Sequence, residues 1–77
     1  MRALLFTRAQ CADCVRLART RFPPDAQALL DGAERVDVDT ETGLSRAAPY
    51  RLQRVPALVT GGSVYAGFDA IKRFFAG

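Results

Sequence analysis

Histidine and tryptophan are missing from this chain of 77 residues, methionine occurs once and cysteine only twice. Without histidine, a mononuclear zinc site with its usual four ligands cannot be assembled from one chain unless carboxylates or a second copy complete it. An iron-sulfur cluster meets the same shortage. Long apolar runs are missing too, so no stretch is predicted to cross a bilayer. With no low-complexity sequence, 49% hydrophobic and 25% charged residues, the chain reads as globular and soluble. Met1-Arg2 leads directly into Ala3-Leu4-Leu5-Phe6 and Thr7-Arg8, with neither the longer apolar stretch nor the cleavage site of a signal peptide. The expected location is cytoplasmic.

No basic run with interleaved aromatic residues occurs that would mark a nucleic-acid footprint. Eleven basic residues, ten of them arginine, oppose eight acidic ones for a net charge of +3, an excess that attracts anionic partners only modestly. The arginines are scattered and read as a solvated surface, with no nucleic-acid or membrane partner. The length allows a single domain spanning 1–77, near the lower limit at which one hydrophobic core holds a fold without staples.

What is present is the pair Cys11 and Cys14, spaced Cys-x-x-Cys between an apolar run ending at Phe6 and a segment of helical periodicity starting near Ala12. In a reducing compartment a lone vicinal pair points to catalysis or metal binding rather than to a structural staple. A first cysteine at a helix N-terminus faces unpaired N–H groups and the positive end of the helix dipole, both of which favour thiolate over thiol. Cys11 is therefore the candidate nucleophile. Cys14, one turn along, is placed to attack the resulting mixed disulfide and release a reduced substrate. Asp13, between them, suits the helix dipole but disfavours a neighbouring thiolate. Arg8 and Arg54 offset it if their side chains turn towards Cys11, stabilising a thiolate or gripping a substrate carboxylate; the alternative is two ordinary solvated arginines. The competing reading of the pair is a metal or iron-sulfur binding module using Cys11 and Cys14 from two chains of a dimer.

Ala3 to Phe6 predicts a central strand covered on both faces, over residues 2–7. A helix follows from Ala12 to Phe22 with Val15, Ala18 and Phe22 on its apolar face, ending before Pro23-Pro24. Asp25 to Leu30 allows a short helical turn, broken by Asp31-Gly32. Glu34 to Asp39, alternating Val36 and Val38 with Asp37 and Asp39, predicts a strand with one polar face. The intervening helix favours a right-handed parallel βαβ unit. Thr40 or Thr42 caps a helix through Leu44, Ala47 and Ala48, weakened by Gly43 and ended or kinked by Pro49. Val55 to Thr60 and Ser63 to Ala66 form a hairpin across Gly61-Gly62. The last helix follows Gly67 with Ile71, Phe74 and Phe75 inward and Lys72 and Arg73 outward. Tyr65, Phe68, Phe74 and Phe75 read as core, and Tyr50 as packing beneath the Pro56 loop or as a border of the active face.

The order βαβαββα, with Cys-x-x-Cys after the first strand and Val55-Pro56 opening the third, resembles the thioredoxin superfamily in its short, glutaredoxin-like form. The resemblance covers nearly the whole chain. Phe6-Thr7-Arg8-Ala9-Gln10-Cys11 is similar to the glutaredoxin approach to the first cysteine, whereas Val36-Asp37-Val38-Asp39 and Tyr50 to Leu58 look more like thioredoxins. Ala12-Asp13 departs from the Pro-Tyr and Gly-Pro of those branches. The resemblance implies an α/β, thioredoxin-like fold (glutaredoxin type), a four-stranded mixed sheet with flanking helices. It also implies a cis bond before Pro56, with Val55 as a substrate-contact position beside it. Gly61 to Asp69 resembles the C-terminal glutaredoxin segment, but with Ala66-Gly67 where two glycines are usual and Phe68-Asp69-Ala70 where a polar, acidic sequence often binds glutathione. Tyr65-Ala66-Gly67-Phe68 also resembles the redoxins that serve ribonucleotide reductase and are recharged by thioredoxin reductase.

The function so implied is that of a monomeric dithiol-disulfide oxidoreductase acting on protein or small-molecule disulfides. Cys11 and Cys14 are catalytic, and Arg8, Arg54, Val55 and Pro56 contact substrate. No cofactor is bound; glutathione or an NADPH-dependent flavin disulfide reductase supplies the electrons.

Overall fold

Leu5 and Phe6, neighbours in sequence, are both buried on opposite faces of a sheet, as a central strand requires. The computed structural model describes residues 3–76. Its elements run β1 (Leu4–Thr7), α1 (Ala12–Arg19), α2 (Pro24–Gly32), β2 (Glu34–Asp37), α3 (Glu41–Ala47), a 3-10 turn (Ala48–Tyr50), β3 (Ala57–Thr60), β4 (Ser63–Ala66) and α4 (Phe68–Ala76). The strands form one mixed sheet in the order β2-β1-β3-β4. β1 and β2 are parallel, with Phe6 opposite Val36. β3 is antiparallel to β1, with Phe6 opposite Ala57, and β3 and β4 form a hairpin in which Thr60 faces Ser63. Gly61 and Gly62 both take positive φ at its tip, as two-residue hairpins favour. This is an α/β architecture of thioredoxin-like form.

One face of the sheet packs Leu5 and Leu58 against Leu17 of α1, Leu30 of α2 and Phe68 and Ile71 of α4. The other packs Phe6, Val36, Val38, Ala57 and Val59 against Ala47 of α3, with Tyr50, Leu52 and Val55 at its margin. Phe6, Leu58 and Ile71 are the largest apolar side chains removed wholly from water, each contributing on the order of 1.5–3 kcal/mol of transfer free energy.

Several boundaries differ from the sequence expectation for local reasons. α1 stops at Arg19 because Thr20 leaves helical geometry, its N–H donating to the Leu17 carbonyl and its Oγ1 to the Arg16 carbonyl. The two prolines then open a full second helix rather than a short turn, with Pro24 at a position that needs no N–H, so the order carries two helices between β1 and β2. The inward face of α1 is Cys14 and Leu17, whereas Val15 and Ala18 face solvent. Leu17 packs into the core with Leu5, Leu30, Phe68 and Ile71, which selects a face other than the one Val15, Ala18 and Phe22 mark. β2 is shorter than 34–39 because Asp37 begins a turn, its Oδ1 accepting the Asp39 N–H and its carbonyl accepting Thr40. β3 begins at Ala57, after the Val55-Pro56 bond. Phe74, expected inward, is exposed and stacks on Tyr65 with ring centroids 4.2 Å apart. Residue 2, included in the expected first strand, lies outside the described residues.

Gly43 has a use the helix propensity scale does not show. It is buried, and a Cβ there would overlap the Asp37 carbonyl. Of the two candidate caps, Thr40 is the one used, accepting the Gly43 N–H at 2.9 Å. The close approach of α3 to the end of β2 thus requires a residue without a side chain.

Candidate functional site

The loop leaving β1 delivers Cys11 as the N-cap of α1, in extended geometry (φ −142°, ψ 108°), and its carbonyl accepts the first helical bond from Val15 at 3.1 Å. The Cys11 Sγ takes the role that a serine or aspartate oxygen normally fills at a cap, accepting the Cys14 N–H at 3.1 Å. The same sulfur is 3.7 Å from the carbonyl oxygen of Val55. Both cysteines are free thiols and both are half-buried.

The two are not equivalent. Burial pushes the Cys14 thiol up to about 11, and the hydrogen bond it makes to the Cys11 side chain acts in the same direction; a backbone hydrogen bond from Arg8 opposes them, and the nearby charges of Cys11 and Asp13 add smaller upward pushes. Cys14 is thus held as a proton-bearing donor towards Cys11. It also lines a small cleft of about 80 Å³ between α1, α2 and the sheet, whose other walls include Leu5, Leu17, Gln27, Leu30 and Arg35.

The second wall of the site comes from the segment before β3. The Val55-Pro56 bond is cis, Pro56 is fully buried, and its carbonyl accepts the Gly67 N–H at 2.7 Å. That bond ties the start of β3 to the start of α4. Gly67 has φ +95°, and a Cβ on it would come within 2.7 Å of Arg54 Cδ; the aliphatic stem of Arg54 lies across it. Beside Val55 opens a groove of about 140 Å³ whose lining includes Arg8, Arg54, Leu44, Leu52 and Gln53.

The structure therefore brings the Cys11 sulfur against both the Cys14 N–H and the Val55 carbonyl and sets Arg8 and Arg54 along the groove that Val55 also lines. It does not turn Arg8 onto Cys11: the Arg8 Nε donates to Asp39 Oδ1 at 3.0 Å. Tyr50 packs on Phe6, ring centroids 5.7 Å apart, within the second core layer. Among the described residues, no group of three or more histidine, cysteine or acidic side chains is gathered as a metal would need. No helix there is long and apolar enough to cross a membrane.

Sequence reasoning did not single out Asp39, Gly43 and Gly67 as parts of the site's frame. Asp37 and Thr40, flanking Asp39, carry the signal of a side-chain-capped turn. For Gly67 the only signal was a glycine at a strand-to-helix junction.

Fold and site define a small α/β domain of thioredoxin-like architecture with a Cys-x-x-Cys pair opening its first helix. Comparison with protein families, curated proteins and solved structures finds no match to this chain.

Proposed function

We propose that this protein is a cytoplasmic dithiol-disulfide oxidoreductase of the glutaredoxin-like branch of the thioredoxin superfamily. The observation that carries the reading is the Cys11 sulfur at the N-cap of α1, receiving the Cys14 N–H and lying against the Val55 carbonyl.

Cys11, as thiolate, attacks one sulfur of a substrate disulfide. A Cys11–substrate disulfide forms, the substrate S–S bond breaks, and the departing thiolate takes up a proton. Cys14 then gives up its proton and attacks the Cys11 sulfur, and the second substrate thiolate leaves. The substrate gains two electrons and two protons while the protein becomes the Cys11–Cys14 disulfide. Cys14, kept protonated by burial, does not compete for the first attack. Val55 borders the reacting sulfur with Pro56 next to it in the chain, and Arg8 and Arg54 line the groove where the flank of the substrate rests. The substrate is a protein or small-molecule disulfide, the working unit is a monomer, and the dithiol is restored by an NADPH-dependent flavin disulfide reductase or by glutathione.

Turbidimetric insulin reduction by wild type, Cys11→Ser and Cys14→Ser tests the reading. Loss of turnover in Cys11→Ser is the expected result, and unchanged turnover overturns it. Supplying glutathione or a flavin reductase with NADPH identifies the donor. A zinc-loaded or coloured dimer that reduces nothing would instead support the reading in which two chains share a metal.

A further inference from the structure

Arg8 and Asp39 stand 31 positions apart in sequence, and the fold joins them beside the groove that Arg8 lines together with Arg54 and Val55. The ion pair is direct, Nε to Oδ1 at 3.0 Å, with the side chains 51% and 49% exposed. The turn carrying Asp39 is fixed from three sides. Its N–H donates to Asp37 Oδ1 at 2.9 Å, Thr40 Oγ1 donates to the Asp37 carbonyl at 2.8 Å, and Gly43 donates to Thr40 Oγ1. Only the Nε edge of Arg8 is used; its two Nη groups have no protein partner among the described residues. Arg54, on the same groove, has no acidic partner among them.

We propose that Asp39 is a specificity-determining residue of the dithiol site: by occupying Arg8 it sets how strongly the groove prefers anionic over neutral or cationic disulfides. The inference rests on the oxidoreductase reading above. Val55 touches the Cys11 sulfur and lines the groove with Arg8, so a substrate carboxylate resting in that groove while its disulfide meets Cys11 would face the Arg8 guanidinium. Asp39 already holds one edge of that group and cancels part of its field, so it acts as a resident competitor for the charge the substrate brings. Arg54 retains a baseline attraction for anions.

The test uses the reduced full chain and three small disulfides: an aromatic dicarboxylate, a neutral dipyridyl and the diamine cystamine. Asp39→Asn is expected to raise the ratio of the anionic to the cationic rate constant roughly two- to fivefold, the range a half-exposed ion pair supports, with the gain shrinking as salt is added. Asp39→Glu is expected to keep the wild-type ratio. In an Arg8→Gln background, Asp39→Asn is expected to change the ratio by much less. If Asp39→Asn scales all three rates equally, or acts as strongly without Arg8 as with it, the inference is overturned and Asp39 is only a structural brace. A wild-type protein inert towards the neutral disulfide would overturn the oxidoreductase reading and this inference with it. Active wild type with a ratio unmoved by Asp39→Asn would overturn this inference alone.

Discussion

The carbonyl oxygen of Val55 lies 3.7 Å from the sulfur of Cys11, although 44 positions separate the two residues. A substrate joined to Cys11 would therefore lie beside the Val55-Pro56 segment, with Cys14 behind it in the first turn of α1. With a protein disulfide and no glutathione, Cys14→Ser is expected to stop at the mixed disulfide. Mass spectrometry of the unreduced protein would show one substrate adduct, mapped to Cys11, and turnover at background. Sustained turnover of that variant under these conditions would remove Cys14 from the resolving role.

Burial and its bond to Cys11 push the Cys14 thiol up to about 11. Brief alkylation of the reduced protein at about pH 7 is expected to label Cys11 alone, because the thiolate is the reacting species. A second adduct at Cys14 should grow only as the pH is raised from about 9 towards 11. Peptide mapping separates the two. Equal labelling at neutral pH would contradict the assignment of roles.

The same shift has a sign for stability. The native Cys14 thiol binds its proton more tightly than an ordinary thiol, so its contribution is complete below about pH 9 and is lost as the pH climbs through about 11. Thermal melts of the reduced protein across that window should show Tm falling in wild type and falling less in Cys14→Ala.

Replacing a helical glycine by alanine ordinarily stabilises an exposed helix by about 1 kcal/mol. At Gly43 the opposite is expected, because the new Cβ would overlap the Asp37 carbonyl. Gly43→Ala should cost on the order of 2 kcal/mol or more in urea unfolding. A neutral or stabilising result would mean that α3 does not pack so closely on β2.

Gly67 combines a positive φ with contact to Arg54. Gly67→Ala is expected to cost roughly 1–3 kcal/mol. The double variant Gly67→Ala/Arg54→Ala should recover the steric part and leave the backbone part. Equal losses in the single and double variants would show that Arg54 does not rest there.

Much of this arrangement was legible in the chain. The alternation of Val36 and Val38 with aspartates, the glycine pair at 61 and 62 and the unbroken run ending at Phe6 each record a backbone period or a turn geometry, which are local properties. The contacts of Arg8 were not legible. Its partner lies on another element, and an arginine of long reach pairs with whichever acid the fold brings nearest. Val15 and Ala18 illustrate the same limit: a helix of eight residues allows more than one apolar stripe, and docking selects among them.

What the sequence determined by itself is the chemistry on offer: two sulfurs one helical turn apart, no histidine, and strands and helices in an order that builds a mixed sheet. Tertiary structure alone decided which sulfur meets Val55, which is buried enough to hold its proton, and that Asp39 rather than Cys11 receives Arg8. The physical reason is range. Periodicity and capping act over a few neighbouring residues, whereas burial and charge pairing depend on distances that exist only once remote segments have packed.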